Sequence, residues 1–314
     1  MNGVRVVFMG TPLFATNVLK ELIDNTNVVL VVSQKDSLVG RKKEITPSPV
    51  KKLAIENDIP VFTPDKIRED FEIIRKMKPD LIVTCAYGQI LPEELLAIPT
   101  IASINVHASL LPKYRGGAPI QRAILNGEKE TGITIMYMDK GMDSGDIIST
   151  KSIVIEDDDN LETLSNKLSK LGSKLLIETL PSIVDGTNKR IKQNEEDVTF
   201  APIISKEDEY IDFNETSISV YNKIRALNPN PGAYFKINGE IIKVYEAKIG
   251  EKRAMPSDIS NLYKDGIGIG TKDGEIIITR IQPAGKKIMN TRDYLNGINK
   301  EELLRSKINE RFME

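Results

Sequence analysis

Short apolar runs alternate with amphipathic stretches along the first half of the chain. Residues 4–10 form a nearly continuous apolar run closed by glycine, and in residues 14–24 Phe14, Val18, Leu19 and Leu22 recur at helical spacing. That pair predicts a strand, a turn and a helix. The alternation returns, with strands expected at 28–32, 61–63, 81–86 and 102–107 and helices at 49–57 and 71–77. Continuous apolar strands must be covered on both faces, so the pattern predicts an α/β fold with a doubly wound, mostly parallel sheet.

Two further strands are expected at 133–139 and 146–154, flanking the glycine-rich bend 140–145. Residues 161–184 carry a long amphipathic helical pattern, expected to break near Pro181. The chain then turns polar and irregular, and its character changes. A helix at 220–227 precedes short alternating runs at 233–237, 241–247, 266–270 and 276–281, separated by glycine turns. Several short strands with turn signals predict a small β-barrel or sandwich. The division expected is therefore a first domain over 1–188, a linker over 189–208 and a second domain over 209–314. The charged pattern at 300–314 predicts a terminal helix.

A chain of 314 residues with 40% hydrophobic side chains is long enough for two cores. Its 43 basic and 45 acidic residues nearly cancel, so a nucleic-acid partner would have to be held by local patches. From Glu209 onward the count is 17 basic against 15 acidic, and before it 26 against 30, which points an anionic partner toward the second domain. The single cysteine, Cys85, lies in the apolar run 80–86; it rules out an internal disulfide and reads as a buried strand residue. The amino terminus lacks a cleavable apolar leader, and no run reaches the eighteen or so apolar residues of a membrane span, so a cytoplasmic protein is expected.

The chain holds one histidine, His107, at the end of the strand expected over 102–107. One imidazole cannot build a histidine metal site, and no metal is expected. Asn105 lies two residues earlier, on the same face of an extended strand. Sites in open α/β sheets form beyond the carboxyl ends of strands. A lone histidine there is often only a hydrogen-bonded structural residue. With an amide and a carboxylate beside it, the set suits acyl transfer without a covalent nucleophile, the amide and imidazole facing a developing oxyanion. Ser109 is the nearest hydroxyl, yet no second histidine exists to activate it. Asp139, Asp143 and Asp146 are the nearby acids, and spacing alone does not rank them. The Gly10-Thr-Pro12 turn lacks the glycine fingerprint of dinucleotide binding, which argues against a nicotinamide enzyme. Arg41, Lys42 and Lys43 read by themselves as a solvated charge run. Tyr114 and Arg115 suit stacking, phosphate binding or bracing the turn before Gly116.

The run Asn105-Val-His-Ala-Ser-Leu-Leu-Pro-Lys-Tyr-Arg-Gly116, with Ala118-Pro-Ile-Gln-Arg122, Glu130-Thr-Gly-Ile-Thr134 and Asp139-Lys-Gly-Met-Asp-Ser-Gly145, resembles the formyltransferases that use 10-formyltetrahydrofolate. Shorter pieces extend the resemblance from Phe8-Met-Gly-Thr-Pro12 to Gln282-Pro-Ala-Gly-Lys-Lys287. The resemblance implies a Rossmann-like catalytic domain followed by an OB-like β-barrel. It implies that Asn105, His107 and Asp143 form the catalytic set, Asp143 being chosen by the Asp-x-Gly-x-Asp-x-Gly pattern. It also implies that the turn Ser109, Leu110, Leu111, Pro112 and the segment Gln89, Ile90, Leu91 face the folate. Arg41, Lys42 and Lys43 match the family's mobile basic loop, which engages the acceptor end of tRNA, and the second domain also contacts tRNA. The reaction implied is transfer of the formyl group to the α-amino group of methionine on initiator methionyl-tRNA, with 10-formyltetrahydrofolate as cosubstrate and no obligate protein partner. A hydrolase of the same donor and a formyltransferase of nucleotide sugars share the architecture, and a non-catalytic RNA-binding protein is the alternative of a different class. Two positions depart from the pattern: Asn230 replaces an aromatic residue common between the two prolines, and Gly117 is often alanine.

Overall fold

The computed structural model describes residues 1, 3–39 and 44–309, and the chain divides into two compact units. The first comprises Met1–Pro119, Glu130–Val154 and Ser165–Pro202. Its main strands are β1 (Arg5–Gly10), β2 (Asn27–Val32), β5 (Val61–Phe62), β6 (Leu81–Cys85), β7 (Ala102–His107), β8 (Glu130–Tyr137) and β9 (Ile147–Val154), ordered β5-β2-β1-β6-β7-β8-β9. The first five pair in parallel and the last two antiparallel, so the sheet is mostly parallel, as expected. A hairpin of β3 (Ser37–Val39) and β4 (Glu44–Thr46) stands apart from it, without any signal in the apolar pattern.

Every residue of β6 is buried, which is why its sequence is continuously apolar rather than alternating. The helices follow the amphipathic stretches. In α1 (Thr16–Asn25) Val18, Leu19 and Leu22 are buried on one face. In α2 (Pro49–Glu56) the Ser48 side chain accepts from Lys51 N, and Pro49 sits in the first turn, where a missing N–H costs nothing. Short helices α3 (Glu72–Lys76) and α4 (Glu93–Leu96) precede β6 and β7, and α5 (Pro119–Leu125) precedes β8.

The break expected at Pro181 is not there. Helix α6 (Leu161–Val184) runs through it, because Leu176, Leu180 and Ile183 stay buried at helical spacing. Burying side chains of this size, about 1.5–3 kcal/mol each, offsets a proline cost of about 3 kcal/mol. The polar stretch after α6 is also more ordered than its composition suggests. Ile191 pairs with Ile147, and Thr199 and Ala201 exchange backbone hydrogen bonds with Arg115, so residues 191–201 form a strap along the first unit.

The second unit comprises Ile120–Lys129, Ile155–Leu164 and Ile203–Glu314. It is an antiparallel sheet of β10 (Ala233–Ile237), β11 (Glu240–Gly250), β12 (Ile259–Leu262), β13 (Ile267–Gly270), β14 (Glu275–Pro283) and β15 (Met289–Asn290), the small β domain expected. Helix α7 (Ser217–Ala226) contributes Val220 and Ile224 to a core centred on Phe213 and Phe235, whose rings meet edge to face at 5.5 Å. Helix α8 (Thr291–Asn296) adds Leu295, and the terminal helix expected over 300–314 is the short α9 (Lys300–Leu304), with 310–314 outside the described residues. Among the described residues no helix is long and apolar enough to cross a membrane.

Candidate active site

The sheet order reverses between β1 and β6, and the reversal leaves a crevice beyond their carboxyl ends. Strand β7 is the next neighbour of β6, with Asn105 in register with Thr84. Strand periodicity puts Asn105 and His107 on one face, and both reach the same carboxylate. That carboxylate is Asp143, carried by the loop between β8 and β9 in a left-handed conformation with φ of 50°. Asn105 Nδ2 lies 3.4 Å from Asp143 Oδ1, and His107 Nδ1 lies 3.6 Å from Asp143 Oδ2. Gly116 N donates to Asp143 Oδ2 at 2.9 Å.

The orientation of each side chain follows from its other partners. Thr84 Oγ1 donates to Asn105 Oδ1 at 2.8 Å, which turns the amide so that its donor, Nδ2, faces Asp143. His107 is 6% exposed, and its Nε2 lies 2.9 Å from the Tyr114 carbonyl. A carbonyl only accepts, so Nε2 carries a proton and Nδ1 is the nitrogen presented to Asp143. Tyr114 is itself in a left-handed conformation, and its N–H donates to Thr199 Oγ1.

Tertiary contacts separate the three aspartates that spacing left equal. Asp139 accepts from Gly141 N and Ser144 Oγ and so folds its own loop. Asp146 accepts from Arg190 Nε, whose guanidinium lies 4.1 Å from the centre of the Tyr137 ring. Only Asp143 of the three meets Asn105 and His107. Its backbone carbonyl and that of Gly145 both accept from Gln193 Nε2 at 2.8 Å. Gln193 lies in the polar strap and carried no signal in the sequence.

A cleft of about 200 Å³ opens at this carboxyl edge, lined by Asn105, Asp143, Met136, Met138, the loop from Asp139 to Met142, and Gln89, Ile90 and Leu91. Its lining combines polar side chains with the apolar Ile90, Leu91, Met136, Met138 and Met142. Gln89 contributes by its position rather than by a free amide, because its side chain accepts from Ile67 N and donates to Gln34 Oε1 and the Asp65 carbonyl. The segment Ser109, Leu110, Leu111, Pro112 is not part of that lining. Ser109 Oγ donates to the Lys113 carbonyl, and Leu111 packs with Met136 and Ile147 beneath the cleft wall. Arg115, left open above, is 5% exposed and braces the turn: it donates to Gln193 Oε1 and pairs through both terminal nitrogens with Glu195. That guanidinium holds the Glu195 carboxyl below the usual carboxylate range. Cys85 is fully buried, and burial pushes its thiol pKa well up. Arg41, Lys42 and Lys43 lie outside the described residues. Among the described residues no group of three metal-ligating side chains comes together.

Comparison with known proteins places these features in a family. Residues 4–180 match the formyl transferase family model, and residues 203–299 match that of the formyl transferase C-terminal domain. A methionyl-tRNA formyltransferase from Macrococcus caseolyticus is 47% identical over 98% of this chain and 99% of its own length. One from Staphylococcus aureus is 49% identical over 93% of this chain and 96% of its own. Among solved structures, an N-formyltransferase from Helicobacter canadensis in complex with folinic acid and dTDP-3-aminofucose superposes with a TM-score of 0.68 at 23% identity, over 89% of this chain and 99% of that one. HypX from Aquifex aeolicus in complex with tetrahydrofolic acid gives 0.64 at 19% identity over 97% of this chain, which spans only 48% of that protein. These structural likenesses speak for the fold. With both family domains matched in order and relatives 47–49% identical over nearly the full length, the chain belongs to the formyl transferase family.

Proposed function

We propose that this enzyme transfers the formyl group of 10-formyltetrahydrofolate to the α-amino group of methionine esterified to initiator tRNA. The observation that carries the reading is the convergence of Asn105 and His107 on Asp143, with Asn105 and Asp143 lining the cleft and the buried His107 behind the carboxylate, in a chain whose near-full-length relatives are methionyl-tRNA formyltransferases. The cleft suits a flat folate head: Leu91, Met136 and Met138 offer apolar surface, and Asn105 and Asp143 polar groups.

Asn105 Nδ2 is the neutral donor of the set, and its bond to Asp143 at 3.4 Å is long enough to be exchanged for a formyl oxygen as that oxygen gains charge. Asp143 accepts a proton from the attacking amine, directly or through water, as the new N–C bond forms and the bond from the formyl carbon to the folate nitrogen breaks. That proton, or its equivalent, then returns to the folate nitrogen. His107 is held by the Tyr114 carbonyl with Nδ1 toward Asp143, so it orients the carboxylate and shares its proton.

On this reading Gln89, Ile90 and Leu91 flank the folate, Ser109 to Pro112 support the cleft wall from below, and the second unit together with Arg41, Lys42 and Lys43 holds the tRNA. Three cations beside phosphates make such binding salt-dependent. The test is incubation of the enzyme with a donor labelled in the formyl group, with methionyl-tRNA or with buffer. Label is expected on the tRNA in the first case and retained by the donor in the second. Label released as formate in both, with none on RNA, means hydrolysis and overturns the assignment.

A further inference from the structure

The strap between residues 191 and 201 supports both halves of the His107–Asp143 pair, Asp143 directly and His107 through the Tyr114 peptide. On one side, Tyr114 N donates to Thr199 Oγ1 at 2.9 Å, Arg115 N to the Thr199 carbonyl at 2.9 Å, and Ala201 N to the Arg115 carbonyl at 2.7 Å. These bonds fix the peptide whose carbonyl accepts from His107 Nε2. On the other side, the two amide protons of Gln193 go to the carbonyls of Asp143 and Gly145, each at 2.8 Å. Asp143 needs such support, because a non-glycine residue with φ of 50° sits in a sparsely populated region.

Gln193 is itself held from behind. Its Oε1 accepts from Arg115 Nε at 3.0 Å, and Arg115 is buried and anchored by Glu195. The amide therefore cannot flip: reversing it would set its NH2 against a guanidinium that only donates, and its oxygen against two carbonyls that only accept. A single side chain thus joins the residue after Tyr114 to the backbone of Asp143.

We infer that Gln193 is a positioning residue for the formyl transfer: it holds Asp143 in its left-handed conformation and so sets the approach of the carboxylate to His107 and Asn105. This rests on the catalytic assignment proposed above. Gln193 touches neither substrate in this account and acts only through Asp143.

Two substitutions separate positioning from folding. Gln193→Ala removes the amide. Gln193→Glu keeps an acceptor for Arg115, in a stronger, charged pairing, but replaces both donors by a carboxylate facing two carbonyl oxygens. Both variants are expected to lower kcat about tenfold to a hundredfold, the scale of a misplaced catalytic group, with KM for donor and tRNA within about twofold of the parent. Thermal unfolding is followed for both variants, and kcat is compared at a temperature where each is fully folded.

The deciding measurement is a double-mutant cycle with Asp143→Asn. If Gln193 works through Asp143, adding Gln193→Ala to Asp143→Asn lowers kcat by no more than about twofold further. Multiplicative losses, or wild-type kcat in Gln193→Glu, overturn the inference while leaving the catalytic set intact. A wild-type kcat in Asp143→Asn alone overturns the catalytic assignment, and the inference with it.

Discussion

Replacing Thr84 by valine tests how the catalytic amide is aimed. Thr84 is 3% exposed in β6, and valine keeps its β-branched shape while removing one hydroxyl. That hydroxyl has one proton and three acceptors within reach: Asn105 Oδ1 at 2.8 Å, the Met138 sulfur at 3.2 Å and the Ile104 carbonyl at 3.3 Å. The first is the shortest, and an amide oxygen is a better acceptor than a thioether sulfur. A neutral hydrogen bond of this kind contributes about 1 kcal/mol net, which is about a fivefold change in the ratio of two amide orientations. The flipped amide would place its oxygen against Asp143 Oδ1, so the population does not reverse completely. Turnover of Thr84→Val should therefore fall about two- to fivefold, whereas Asn105→Ala, which removes the donor altogether, should lose about 10²–10³-fold. The assay is single-turnover formyl transfer at saturating donor, with kcat and KM determined separately and thermal unfolding followed in parallel. A Thr84→Val loss as deep as that of Asn105→Ala, or a raised KM at unchanged kcat in either variant, refutes the reasoning.

Gly145→Ala should be severe, since a Cβ there overlaps the Tyr137 carbonyl; the loop carrying Asp143 must shift, and a loss of about 1–3 kcal/mol in unfolding free energy should accompany a large fall in turnover. In the second unit, Arg122 makes a two-pronged pair with Asp208, at 2.7 and 3.1 Å, and its hydrogen bond holds the Asp208 carboxyl below the usual range. A depressed carboxylate pKa gives stability that is present above the unfolded value, about 3.9, and lost as pH falls through the folded value. Thermal unfolding between pH 2 and 7 should therefore show an acid limb that is weaker in Arg122→Ala; an unchanged limb would remove the pair from the account. Cys85, buried with its thiol pKa pushed well up, should resist a maleimide at pH 8 in the native protein and react only on unfolding. Rapid native labelling, read by mass spectrometry, would contradict the packing of β6.

Apolar periodicity in the sequence was enough to determine the parallel strands, because a strand buried on both faces must be apolar throughout and leaves an unmistakable run, as at Leu81–Cys85. The two-residue repeat of β7 was likewise enough to put Asn105 and His107 on one face. Local patterns reached no further than that. Spacing alone left Asp139, Asp143 and Asp146 equal and the family pattern chose Asp143; the folded loop, with Gly116 and Gln193 fastening it, supplies the physical reason that this carboxylate meets His107. Pro181 looked like a helix end because a propensity counts the missing hydrogen bond and not the buried face that outweighs it. Gln193 and Glu195 stood in a polar stretch indistinguishable from any exposed loop, since a hydrogen bond to a distant backbone leaves no mark on composition. Side-chain periodicity is a local property written along the chain, whereas the contacts that aim a carboxylate join residues 27 to 50 positions apart and exist only once the chain has folded.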